Sequence, residues 1–150
     1  MAEKKIKNIF REGAISPDTI AQSIAHHQHK TGIGAHYLFM GQVRADEIDG
    51  QTVAAIEYSA QETMANEVVH EIREEAFARF DLSCMHIYHS LGVVEAGQLC
   101  FVVFVSSAHR EQPYEAVRFI VDAIKEKAPI FGKELFHDGS HQWKVNKAAE

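Results

Sequence analysis

Seven consecutive apolar residues, Leu99 to Val105 (LCFVVFV), constrain this chain more than any other stretch. A run so short and uniform suits a strand covered on both faces. It is far too short to cross a bilayer as a helix. The segment after it is equally directive: SSAHREQP, then the helix-like YEAVRFIVDAIKEKA, then PIFGKE. The strand delivers His109 and Arg110 to its end, and the helix delivers Lys125 and Lys127 to its own. One strand–helix unit is thus predicted to gather a cationic site. Such a site suits an anionic small substrate, or a carboxylate-like group carried by a partner.

The rest of the pattern supplies partners for that strand. Ser16-Pro17 reads as an N-cap with Pro at the first helical position. That helix is expected to run to about Lys30, with Ile20 and Ile24 inward, and to end at Gly32 and Gly34. His36 to Arg44 alternates with period two and is predicted as a strand. ADEIDGQ (Ala45 to Gln51) ends in Asp-Gly and reads as a mobile hairpin loop before a returning strand, Thr52 to Tyr58. Ser59 to Glu62 has the form of a capping box. Met64, Val68, Ile72, Ala76 and Phe80 behind it make the expected buried stripe of a long helix. Cys84 to Leu91 is a third strand, which Gly92 is expected to break. The last helix starts near Pro113, buries Val117, Ile120 and Ile124, and stops at Ala128-Pro129. Asp138-Gly139, between Phe136 and Trp143, predicts a small C-terminal β-hairpin. The order β-β-α-β-β-α behind a leading helix implies an α+β fold with a largely antiparallel sheet and packed helices.

Residues 1–150 are expected to form a single domain. A formal net charge of −6 argues against a nucleic-acid binder. Local charge differs, because Arg110, Arg118, Lys125, Lys127, Lys133, Lys144 and Lys147 all fall in the last third. The start, MAEKKIKNIF, has no apolar h-region. Cys84 and Cys100 have no spacing motif and read as reduced thiols, so the expected location is cytoplasmic, with no membrane contact.

Each candidate site residue has a plainer alternative. His109-Arg110 is either an anion clamp at a helix N-terminus or a solvated helix-entry pair. Lys125 and Lys127 suit a helix C-terminus whatever their chemistry. Lys133 follows the apolar PIFG, which would hold it near a pocket wall, where a lysine can serve as nucleophile or acid/base. Arg44 is a loop-gated anion ligand or a solvated strand end. Lys144 and Lys147, near Trp143, either cover a phosphate or solubilise the hairpin. The ten histidines show no zinc spacing, so no metal is expected. Nucleophile elbow, GxGxxG and P-loop patterns are all missing.

FMGQVR (Phe39 to Arg44), SSAHR (Ser106 to Arg110), IKEKAPIFGKE (Ile124 to Glu134) and WKVNK (Trp143 to Lys147) stand in register over nearly the whole chain. Together they resemble the large, catalytic subunits of molybdopterin synthase. The resemblance implies an α/β-hammerhead-like fold and a sulfurtransferase without a cofactor of its own. Its substrate would be cyclic pyranopterin monophosphate, converted to the dithiolene of molybdopterin. Its partner would be a small ubiquitin-like sulfur-carrier subunit with a C-terminal Gly-Gly thiocarboxylate. The assembly implied is a homodimer of large subunits, a heterotetramer overall. By motif position Lys125 is one of two catalytic lysines. The family has the second directly after the aromatic that follows Pro, where this chain has Gly132, so that role falls to Lys133 by a local adjustment or to no residue. Arg44, His109, Arg110 and Lys147 match substrate-pocket positions, and Phe39 a pocket wall. The alternatives are a non-catalytic module for a ubiquitin-like tail, or another phosphate-handling enzyme.

Overall fold

In a computed structural model, which describes residues 5–145, the apolar run is the interior strand that its composition demands. β6 (Leu99–Ser107) lies between β2 (Ala35–Gln42) and β5 (Cys84–Glu95), antiparallel to both, and every residue from Cys100 to Ser107 is buried. The sheet continues through β4 (Gln51–Ala60) and β7 (Ile130–Phe136) to β8 (His141–Trp143). Two short strands attach to it. β1 (Phe10–Glu12) runs parallel to β5, and β3 (Glu47–Ile48) pairs with β4. All other pairings are antiparallel, so the expected α+β architecture is found, C-terminal hairpin included.

Among the described residues, three helices cover the sheet. α2 (Glu62–Arg79) and α3 (Glu111–Lys127) bury Val69, Ile72, Val117, Ile120 and Ile124 against Phe101, Val103 and Val105 of β6. α1 (Pro17–His27) covers the other face, with Ile15 and Ile20 on Val102. Side chains alternate along a strand, so odd and even residues of β6 feed the two layers. No described helix is long and apolar enough to cross a membrane.

Several boundaries differ from the sequence reading. α1 ends at His27, not near Lys30, and Ile24 stays 37% exposed, while His27 in the last turn is buried against Phe104 and His86 of the sheet. The capping box does not form. Ser59 and Ala60 extend β4 and pair with Phe131 and Ile130, and the N-cap of α2 is Gln61. The buried stripe of α2 is Ala65, Val69, Ile72 and Ala76, which leaves Met64 53% exposed. Gly92 bends β5 rather than breaking it. With φ 80° it carries the strand from pairing with β6 to pairing with β4. The Asp-Gly expectation holds: Asp49 (φ 50°) and Gly50 (φ 79°) close the β3–β4 hairpin, both in the left-handed region that tight two-residue turns need.

Candidate active site

Lys125 is the centre of the cationic site. It lies in the last turn of α3, with Nζ 6.0 Å from the Phe101 ring centre. Phe101 packs edge-on to Phe39 of β2 (5.6 Å), so these two rings form an aromatic wall. Beneath them the Cys100 thiol accepts from Tyr58 Oη (3.4 Å) and donates to the Gly41 carbonyl (3.5 Å). His89 completes the floor, 5.2 Å from Phe101 and 5.0 Å from Tyr58 between ring centres.

The electrostatics identify which charges converge. Burial pushes the Lys125 pKa down, and Lys144 and Arg44 add to the effect, while Cys100 and Asp122 oppose it. An ammonium that loses hydration and faces like charge gives up its proton more easily. Burial also raises the pKa of Tyr58, helped by Cys100 and Glu134, so its phenol stays protonated at neutral pH. Burial holds His89 down at about 4, and Lys125 adds to that, so the imidazole is neutral. Arg44 is largely exposed and pairs with Asp46 at 3.2 Å, at the start of the loop that precedes β3.

Of the residues singled out in the sequence, the fold brings together Lys125, Lys144, Arg44 and Phe39. His109 and Arg110 are elsewhere. They lie exposed at the N-terminal end of α3. At 1.5 Å per residue the helix puts Arg110 about 22 Å from Lys125. Arg110 instead borders a cleft of about 370 Å³ with His36, Tyr37, Glu111 and Tyr114. The expectation that one strand–helix unit gathers the whole cationic site is therefore corrected: the length of α3 holds its two ends apart.

Lys133 is separated differently. On β7 it pairs with Glu57 (Nζ to Oε1, 3.3 Å) and lies 5.5 Å from the Trp143 ring centre. Its neighbour Gly132 is opposite Tyr58, and a Cβ there would meet Ile56 and Tyr58. Successive strand residues point to opposite faces, so Gly132 faces the Tyr58–Cys100 floor and Lys133 faces away. No local adjustment turns Lys133 toward Lys125. Lys147 lies outside the described residues.

Sequence reasoning missed Tyr58, Cys100, Phe101 and His89. Each looks like an ordinary strand residue, and only cross-strand pairing makes them neighbours. Among the described residues no three His, Cys, Asp or Glu side chains form a metal set. The nearest approach to one is His27–His86, Nε2 to Nε2 at 2.9 Å. His27 Nδ1 donates to the Ser23 carbonyl (2.6 Å), so in the neutral pair His86 donates to His27.

Comparison with known proteins accords with this geometry. The family model described as MoaE protein matches residues 1–127. Molybdopterin synthase catalytic subunit 1 of Aedes aegypti is 42% identical over 117 residues, covering 76% of this chain and 75% of that protein. The crystal structure of molybdopterin synthase from Staphylococcus aureus shares the fold, with TM-score 0.79 and 24% identity, over 95% of this chain and 100% of that one. So does a complex of subunits 1 and 2 of molybdopterin-converting factor from Helicobacter pylori, with TM-score 0.77 and 19% identity, over 93% and 92% of the two chains. The chain belongs to the MoaE family, the catalytic subunits of molybdopterin synthase, enzymes of molybdenum cofactor biosynthesis.

Proposed function

We propose that this chain transfers sulfur from the C-terminal thiocarboxylate of a small ubiquitin-like carrier to cyclic pyranopterin monophosphate, building the dithiolene of molybdopterin. The observation that carries this reading is Lys125: a lysine with a lowered pKa, against an aromatic wall, with further cations beside it. The carrier's tail is anionic. Once its sulfur has displaced an oxygen substituent from the pterin side chain, water attacks the thioester carbonyl so formed and an oxyanion develops. The acyl carbon–sulfur bond then breaks to leave sulfur on the pterin and a carboxylate on the carrier. A pre-placed ammonium stabilises the oxyanion, and a lysine of lowered pKa also relays protons. No nucleophilic thiol is needed, because the reacting sulfur arrives on the carrier. The two subunits held together in the Helicobacter structure support the same pairing here.

Phosphate binding falls to His109 and Arg110, and those lie a helix length from Lys125 in their own chain. In our reading a second copy supplies them, so that two large subunits share each site and two carriers complete a heterotetramer. Exposed Tyr37 (39%), Met40 (49%) and Tyr114 (55%), on the edge strand β2 and on α3, give that copy apolar surface to cover. The reduced state of Cys84 and Cys100 fits a cytoplasmic reaction.

Mixed dimers test this. Lys125→Ala and Arg110→Ala, each alone, should abolish most dithiolene formation from thiocarboxylated carrier. Co-expressed, half the dimers pair one variant with the other, and each of these contains one intact site, so about a quarter of wild-type activity returns. No recovery on mixing would show that each chain uses its own Arg110. Near-normal turnover by Lys125→Ala would remove the catalytic reading itself.

A further inference from the structure

We infer that Lys144 is the second cation of the Lys125 site, set there by the β7–β8 hairpin, and that Lys133 serves the hairpin's outer face instead. The inference deepens the sulfurtransferase reading above and rests on it.

The register is the first support. β8 pairs with β7 so that Trp143 is opposite Lys133, and the Lys144 N–H then donates to the Gly132 carbonyl at 2.8 Å. Lys144 is therefore beside Gly132, one residue out of phase with Trp143. Alternation gives Lys133, Glu57 and Trp143 one face of the sheet, and Gly132, Tyr58 and Lys144 the other. The contacts agree: Lys133 reaches Glu57 and Trp143, while a Cβ at Gly132 would press on Tyr58. Tyr58 donates to Cys100, the thiol next to Lys125. Glycine at 132 leaves open the side of the hollow that a larger residue would fill, and the charge comes from the neighbouring strand.

The second support is electrostatic. Around Lys125 are Lys144 from the end of β8, Arg44 beyond β2, Cys100 on β6, His89 on β5 and Asp122 on its own helix. Of these charges Lys144 weighs most on Lys125. Two ammonium groups so placed attract one anionic tail from two sides. Lys144 also makes Lys125 easier to deprotonate. Lys144 thus acts both on the incoming carboxylate-like group and, through its charge, on Lys125.

The experiment compares Lys144→Ala, Lys144→Arg and Lys133→Ala in the full chain, supplied with thiocarboxylated carrier and substrate. It adds an NMR titration of Lys125 Cε in each variant. Lys144→Ala should lower kcat/KM about tenfold to a hundredfold and move the Lys125 titration to higher pH. Lys144→Arg should restore both, and Lys133→Ala should alter neither by more than about twofold. Lys144 is exposed at a strand end, so its loss does not threaten folding. An unmoved Lys125 titration in Lys144→Ala, or a Lys133→Ala variant as impaired as Lys144→Ala, overturns the inference. Either result leaves the catalytic role of Lys125 standing, because Lys125→Ala tests that separately.

Discussion

Single residues decide how close the parts of this site come. Gly34 is the sharpest case. Its amide donates to the Ser107 carbonyl at 2.9 Å, and a Cβ there would collide with the Ala108 carbonyl. Ala108 leads directly into His109 and Arg110, so a side chain at 34 displaces the loop that presents both. Gly34→Ala should cost about 1–3 kcal/mol, the range for overpacking, and raise KM for the pterin more than it lowers kcat. Chemical denaturation and steady-state kinetics measure the two effects, and a variant with wild-type stability would show that the loop gives way freely. Lys133 is a contrasting case. Its ion pair with Glu57 is partly exposed (side chains 27% and 43%), and such pairs contribute about 0–1 kcal/mol. Its role on the outer face is local.

At the scale of elements, α3 acts as a spacer. Its apolar stripe fixes it to the sheet along its length, and that holds Arg110 at one end apart from Lys125 at the other. The helix-start signals divide instructively. Ser16 caps α1 as its sequence implies, its Oγ accepting from Asp18 N at 3.2 Å, with Pro17 opening the helix. Ser16→Ala should cost about 1 kcal/mol, seen as a lower midpoint in urea; an unchanged midpoint would mean that the packing of Ile15 and Ile20 already fixes the start of α1. The similar signal at Ser59 goes unused, because Ser59 is held in the β4–β7 ladder. Sheet pairing has the stronger claim there, since a whole strand's hydrogen bonds outweigh one cap.

The whole molecule carries a pH dependence written by its buried histidines. Burial holds His86 and His89 at about 4, against an ordinary 6.5. His27, Lys7, Arg73 and Lys30 push His86 down further. Between these two values the unfolded chain takes up protons that the folded chain refuses. Stability is therefore complete above pH 6.5 and falls as the pH drops toward 4. The loss is on the order of 1–3 kcal/mol, most of it from His89, because His86 is only half buried. Urea unfolding across this window measures it, and a flat profile would mean that both imidazoles protonate without unfolding.

The sequence by itself determined the main elements and their order, though not the short strands β1 and β3. Period-two alternation marked β2, the apolar run marked the interior strand β6, and the 3.6-residue stripe marked α3. The Asp-Gly pairs marked two hairpins, and four motifs in register marked the family. These are local signals: each is set by neighbours within one or two turns of chain. Tertiary structure decided which charges meet. Lys144 and Arg44 reach Lys125 because β8 and β2 return to the same end of α3, although about 20 and 80 residues separate them in sequence. Arg110 does not reach it, because a rigid helix joins the two. Proximity in a fold comes from strand pairing and helix length, and a one-dimensional pattern encodes the pieces without the distances between them.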